Sequence, residues 1–113
     1  MATSRELVDY VVGQLGPTAS AKAMFGEYGV YLGGRLIGLV CDDRLFLKQN
    51  AAAASLLGEH ECAPPYPRAR PAIIVPEHLW DDRALMTRLA AATADALASL
   101  EKPAKRKSRQ ARS

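Results

Sequence analysis

Between Thr3 and Leu15 the apolar residues Leu7, Val8, Val11, Val12 and Leu15 recur at the spacing of one helical face. Thr3, with Glu6 three positions on, has the spacing of a capping box, and Gly16-Pro17 stops the helix. The period then shortens. Ala21–Phe25, Val30–Leu32, Leu36–Cys41 and Leu45–Leu47 are short apolar runs separated by Gly26, Gly29, Gly33-Gly34 and Asp42-Asp43. This pattern predicts strands joined by tight turns. Gly33-Gly34 is the stronger hairpin signal, because both central residues of a primed turn need positive φ, and connections this short make the strands antiparallel.

After the strands, Asn50 caps an alanine-rich helix that Gly58 ends. Pro64, Pro65, Pro67 and Pro71 exclude a central strand from the next stretch and predict an edge segment or loop. Ala72–Val75 reads as a last buried strand. A final helix begins near Asp81 or Asp82, with a seam of Leu85, Met86, Leu89, Thr93, Ala96, Leu97 and Leu100, and is expected to end by Pro103. Leu39, Val40, Leu47, Ile74, Leu85 and Leu89 are the candidate core. The order is α-β(3–4)-α-β(1–2)-α, an α+β fold of two layers in which an antiparallel sheet of four to five strands packs on helices.

Length and charge refine this picture. A chain of 113 residues with 49% apolar and 24% charged residues suits one soluble domain with a real core. The net charge of +3 conceals an asymmetry. Lys102, Lys105, Arg106, Lys107, Arg109 and Arg112 crowd the end without an acid among them, while residues 1–101 hold nine basic side chains against all 12 acidic ones. The expected organisation is a slightly acidic domain over 1–101 and a basic, disordered tail over 102–113. Nothing at the N-terminus resembles a signal peptide, two cysteines make no disulfide framework, and no run reaches the ~20 apolar residues of a membrane span. The expected location is the cytoplasm.

Chemistry is sparse. The glycines form neither G-x-G-x-x-G nor a Walker loop. Cys41, His60, Cys62 and His78 lack the spacing of a metal site, and no serine or cysteine sits in a nucleophile signature. No catalytic residue, metal or cofactor is expected. Phe25, Glu27, Tyr28, Tyr31 and Arg35, gathered around the first hairpin, are the candidate interaction surface, since alternation along a strand exposes some of them. Trp80 reads as a plug between the last helix and the sheet. The six tail cations are candidate phosphate contacts, able to follow a backbone without reading bases.

Met24-Phe-Gly-Glu-Tyr-Gly-Val-Tyr-Leu32, followed by Leu36 to Lys48 with Asp43 and Leu45-Phe-Leu-Lys48, resembles the N-terminal domain of the TfoX/Sxy family of competence regulators. Ile73-Ile-Val-Pro76 and the acid-capped helix after it agree, and the likeness extends from about Ser4 to Leu100. The resemblance implies a bacterial regulatory module without catalysis. Family members are described as transcriptional co-activators of DNA-uptake genes that act with a cyclic-AMP receptor regulator. They carry a second helical domain, so this chain is expected to be a stand-alone N-terminal domain, a monomer or weak homodimer with a protein partner. The readings of other classes are a small ligand-binding domain or enzyme with a cleft between sheet and helices, and non-specific nucleic-acid binding through the tail.

Overall fold

The computed structural model describes residues 4–24 and 27–110, with side chains described as far as Leu100. Helix α1 (Arg5–Leu15) leads into four strands, β1 (Ala19–Met24), β2 (Glu27–Leu32), β3 (Arg35–Cys41) and β4 (Arg44–Leu47). Helix α2 (Ala51–Leu57) follows, then β5 (Glu61–Ala63), β6 (Ala72–Val75), a 3-10 turn over Glu77–Leu79 and helix α3 (Arg83–Gln110). All pairings are antiparallel, in the order β1-β2-β3-β4-β6-β5. The α+β class stands with six strands rather than four or five. The additional pairing comes from the edges: β5 is only three residues long and lies against β6 just before the prolines begin.

Local chemistry accounts for the boundaries. Ser4, one residue after the expected cap, accepts from Leu7 N at 3.1 Å and starts α1, while Thr3 lies outside the described residues. Gly33 and Gly34 turn β2 into β3 with φ of 57° and 86°. Asp42 and Asp43 make the same left-handed turn between β3 and β4, with φ of 55° and 61°. Asp82 starts α3 by accepting from Leu85 N at 3.1 Å. The helix does not end by Pro103 but continues to Gln110. Proline removes a single N–H from the ladder, and Ala104 to Arg106 beyond it are good helix formers.

The helices cover one face of the sheet. Val8, Val11 and Leu15 of α1 and Met86, Leu89 and Ala90 of α3 are fully or almost fully buried against Val30, Ile37, Val40, Leu45, Leu47, Ile73 and Val75. Trp80 is buried in this core as a plug, its indole N–H donating to Val75 O at 3.1 Å. Asn50 joins three elements. Its carbonyl accepts from Ala53 N at 2.8 Å to cap α2, and its amide donates to Lys48 O and to Thr93 Oγ1, both at 3.0 Å. Thr93 is fully buried and donates to Leu89 O at 2.8 Å. Of the expected core, Val40, Leu47 and Leu89 are buried and Leu85 packs against them, but Leu39 and Ile74 are half-buried on the opposite face. Leu100, on the expected seam, is 73% exposed.

A bulge interrupts the β2–β3 ladder. Val30 pairs with Gly38 and Tyr31 with Leu36, leaving Ile37 as the extra residue. Beside it β4 passes so closely that a Cβ on Gly38 would drive into the Phe46 carbonyl and lie 3.1 Å from Leu47 Cα. Gly38→Ala is therefore expected to cost about 1–3 kcal/mol of overpacking, or more. Urea denaturation reads this directly, and a midpoint equal to that of the unchanged chain would show that β4 is free to move.

Candidate interaction surface

Alternation along the strands divides the candidate residues between the two faces. Tyr28 shares a row with Val40, Leu45 and Val75 and packs on the core beneath the helices. There the Arg5 guanidinium lies 5.7 Å from its ring centroid, within cation–π range. Arg5 also holds Asp9, with Nε 3.2 Å from Oδ1. Arg35 pairs with Leu32 and lines a groove beside Leu97 of α3. Glu27 and Tyr31 lie on the outer face. Phe25 and Arg112 fall outside the described residues, and Lys102, Lys105, Arg106, Lys107 and Arg109 follow the last described side chain. Of the four described hairpin residues, Glu27 and Tyr31 share the outer face, and Tyr28 and Arg35 lie on the side of the helices.

The outer face has its own apolar row, which the alternation around Tyr31 alone did not reveal. A Cβ placed on Gly29 would lie 2.7 Å from Met24 Cε, 3.2 Å from Leu36 Cδ1 and 3.3 Å from Tyr31 Cε1, so these three side chains close over the glycine. All three remain half-buried. Next to them Leu39, Phe46 and Ile74 form a continuous cross-strand row. The available sequence signal was the unbroken apolar run Leu36–Cys41, which suits a strand loaded on both faces rather than one.

The proline-rich segment 64–71 runs across part of this face. Cys41 Sγ donates to Pro65 O at 3.3 Å, and Gln49 Nε2 donates to Pro71 O at 2.9 Å. Phe46 is only 4% exposed although it stands outside the core beneath the helices. The cover over Cys41 has an electrostatic consequence: burial first, then the Glu27 carboxylate beside it and the charge of Asp42, push the thiol up to about 11. Cys62 is exposed on β5. Around neutral pH iodoacetamide is expected to label Cys62 well before Cys41, because the thiolate is the nucleophile. Both folded and unfolded chains keep Cys41 protonated at neutral pH. Above an ordinary thiol value of about 8.5 the unfolded chain alone loses the proton, so stability falls as pH rises towards the folded value. Cys41→Ser is expected to flatten that alkaline decline, and mass spectrometry of the labelled peptides checks the order of modification.

Among the described residues, no group of three or more His, Cys, Asp and Glu converges as a metal site, and no helix is long and apolar enough to cross a membrane. Trp80 O and Gln14 Nε2, 2.8 Å apart, and the Tyr10–Asp81 hydrogen bond fasten α1 to the start of α3 and serve the fold.

An antiparallel sheet with helices on one face and a partly strapped apolar row on the other defines an α+β module. Residues 11–97 match the TfoX N-terminal domain, and the chain belongs to that family. It is also similar to a protein of Spirochaeta aurantia described as an uncharacterized 12.7 kDa protein in the trpE 5′ region, with 36% identity over 72 residues. The match covers 62% of this chain and 63% of that relative, so the chain spans less than two thirds of the relative's length.

Proposed function

We propose that this domain is a non-enzymatic regulatory module that binds a protein partner through the outer face of its sheet. The observation that carries the reading is the half-buried cluster of Met24, Tyr31 and Leu36 on the face the helices leave open. Apolar and aromatic side chains concentrated on one open face are the usual anchor of a protein interface. Membership of the TfoX N-terminal domain family supports a regulatory setting, with a transcription regulator as the partner class. The proposed site of action is the cytoplasm.

A photo-crosslinking residue at position 31 is expected to capture a discrete protein in the native cell, whereas the same residue at Arg88, exposed on α3, is not. Equal capture from both positions contradicts the reading. Turnover of a small substrate that Glu27→Gln abolishes would replace it with an enzyme reading.

The six cations of residues 102–113 support a second, separable activity, non-specific contact with nucleic acid. If they make all the contacts, at most six phosphates are neutralised. The slope of log affinity against log salt on duplex DNA is then expected to be no steeper than about −5. Removing 102–113 should abolish the binding, and sequence-selective binding retained by residues 1–101 would move recognition onto the fold.

A further inference from the structure

The proline-rich segment that crosses the outer face carries an exposed tip of its own. Its ends are clamped, Pro65 O by Cys41 Sγ at 3.3 Å and Pro71 O by Gln49 Nε2 at 2.9 Å. Between the clamps the chain makes a four-residue turn, Tyr66-Pro-Arg-Ala69, closed by Ala69 N donating to Tyr66 O at 3.1 Å. Pro67 suits the second position of such a turn. Arg68 holds the third with a φ of 74°, in the left-handed region that favours glycine and that asparagine and aspartate tolerate. Asp42 and Asp43 are the other left-handed residues that are not glycine, so among the described residues Arg68 is the one long side chain held in this way. A cation kept where glycine would be relaxed points to a use for the charge. Tyr66 is 47% exposed, and Arg68 and Arg70 are exposed beside it. Neither arginine has an ion pair or a hydrogen bond among the described residues. No acid occurs between Cys62 and Pro76, and Glu61 and Glu77, which flank that run, pair with neither arginine. The acids that bear on the segment, Glu27 and Asp42, act at its Cys41 end, whereas Arg70 adjoins the Gln49 end.

We propose that this turn binds single-stranded nucleic acid, with a base stacked on the Tyr66 ring and the adjoining phosphates held by Arg68 and Arg70. A nucleotide joins a flat π face to anionic oxygens a few bonds away. An exposed phenol ring followed at two and four residues by guanidinium groups is the complement of both. A duplex keeps its base faces inside the stack, so a ring presented at a turn reaches one only where the strand is open. An acidic peptide would satisfy the arginines but give the ring nothing to stack on. Pro65, Pro67 and Pro71, together with the two clamps, fix the turn before a ligand arrives and so reduce the ordering that binding requires. The inference goes beyond both the protein-partner reading and the tail reading and depends on neither, since the tail cations can follow any phosphate backbone, paired or unpaired.

The test measures, by fluorescence anisotropy at several salt concentrations, the binding of the full chain to a labelled oligothymidine of about ten nucleotides and to a duplex of the same length. The full chain is expected to prefer the single strand. Tyr66→Ala should weaken that binding roughly tenfold, as loss of one stacked base does, while Tyr66→Phe should retain it. Arg68→Gly removes a charge from a position where glycine is at ease, and Arg70→Gln removes one from an exposed site. Each should weaken single-strand binding several-fold and lower the slope of log affinity against log salt by about 0.7. Thermal melting verifies that every variant folds, and binding to the duplex should be the same for all of them as for the unchanged chain. Absence of single-strand binding, binding that Tyr66→Ala leaves intact, or equal losses on single strand and duplex would overturn the proposal. So would a poly-glutamate peptide that displaces the oligonucleotide as well as unlabelled oligothymidine does, which assigns the turn to an acidic protein.

Discussion

The close approach of β3 and β4 at Gly38 is the constraint on which both surfaces of this domain depend. With no Cβ between them, the β4 backbone lies against β3 where the β2–β3 ladder takes up its extra residue. The bulge changes the parity of the strand. Beyond it Ile37 enters the core fully buried, Leu36 joins Tyr31 on the outer face, and Arg35 turns to the side of α3. In an unbroken ladder Leu36 would occupy the core side and Arg35 the outer one, which would dissolve the apolar cluster and take a cation from the groove.

The two faces of the sheet are buried by different means. Beneath α1 and α3 the core is packed by large aliphatic side chains, with Thr93 the one buried polar residue among the described residues, and that hydroxyl is satisfied by Leu89 and Asn50. On the other face a chain segment without regular structure does the covering, held by a thiol at one end and a glutamine at the other. Proline suits that segment: it lowers the entropy lost on ordering the loop and has no backbone N–H to leave unpaired over an apolar surface.

Much of the architecture was legible in the pattern of residues. The change of period from Leu15 to Val30, the turns at Gly33-Gly34 and Asp42-Asp43, the Asn50 cap and the Trp80 plug all follow from short-range chemistry, and the structure has each of them. Allocation to faces was less legible. Leu39 and Ile74 looked like core because they stand in apolar runs, and only the register across β3, β4 and β6 places them on the opposite side from Val40 and Val75. Tyr28 and Tyr31 are close in sequence but point to opposite faces, since an odd number of steps along β2 separates what hydrophobicity alone groups together. The groove was invisible for a similar reason: it is formed by Arg35, Lys48 and Leu97, which the fold joins over long sequence separations.

Asn50 ties the fold to the chemistry of one amide. Its carbonyl oxygen does what an aspartate could do at the start of α2, but its amide nitrogen supplies two hydrogen bonds, to the end of β4 and to the buried Thr93 of α3, that a carboxylate cannot donate. Spontaneous deamidation at this residue would replace NH₂ with an oxygen, keep the cap, set that oxygen against the Lys48 carbonyl and make the Thr93 hydroxyl, which now donates to Leu89 O, the sole possible donor to it. The junction of β4, α2 and α3 thus turns on one side-chain amide, and its conversion to a carboxylate would loosen three elements through the change of a single atom.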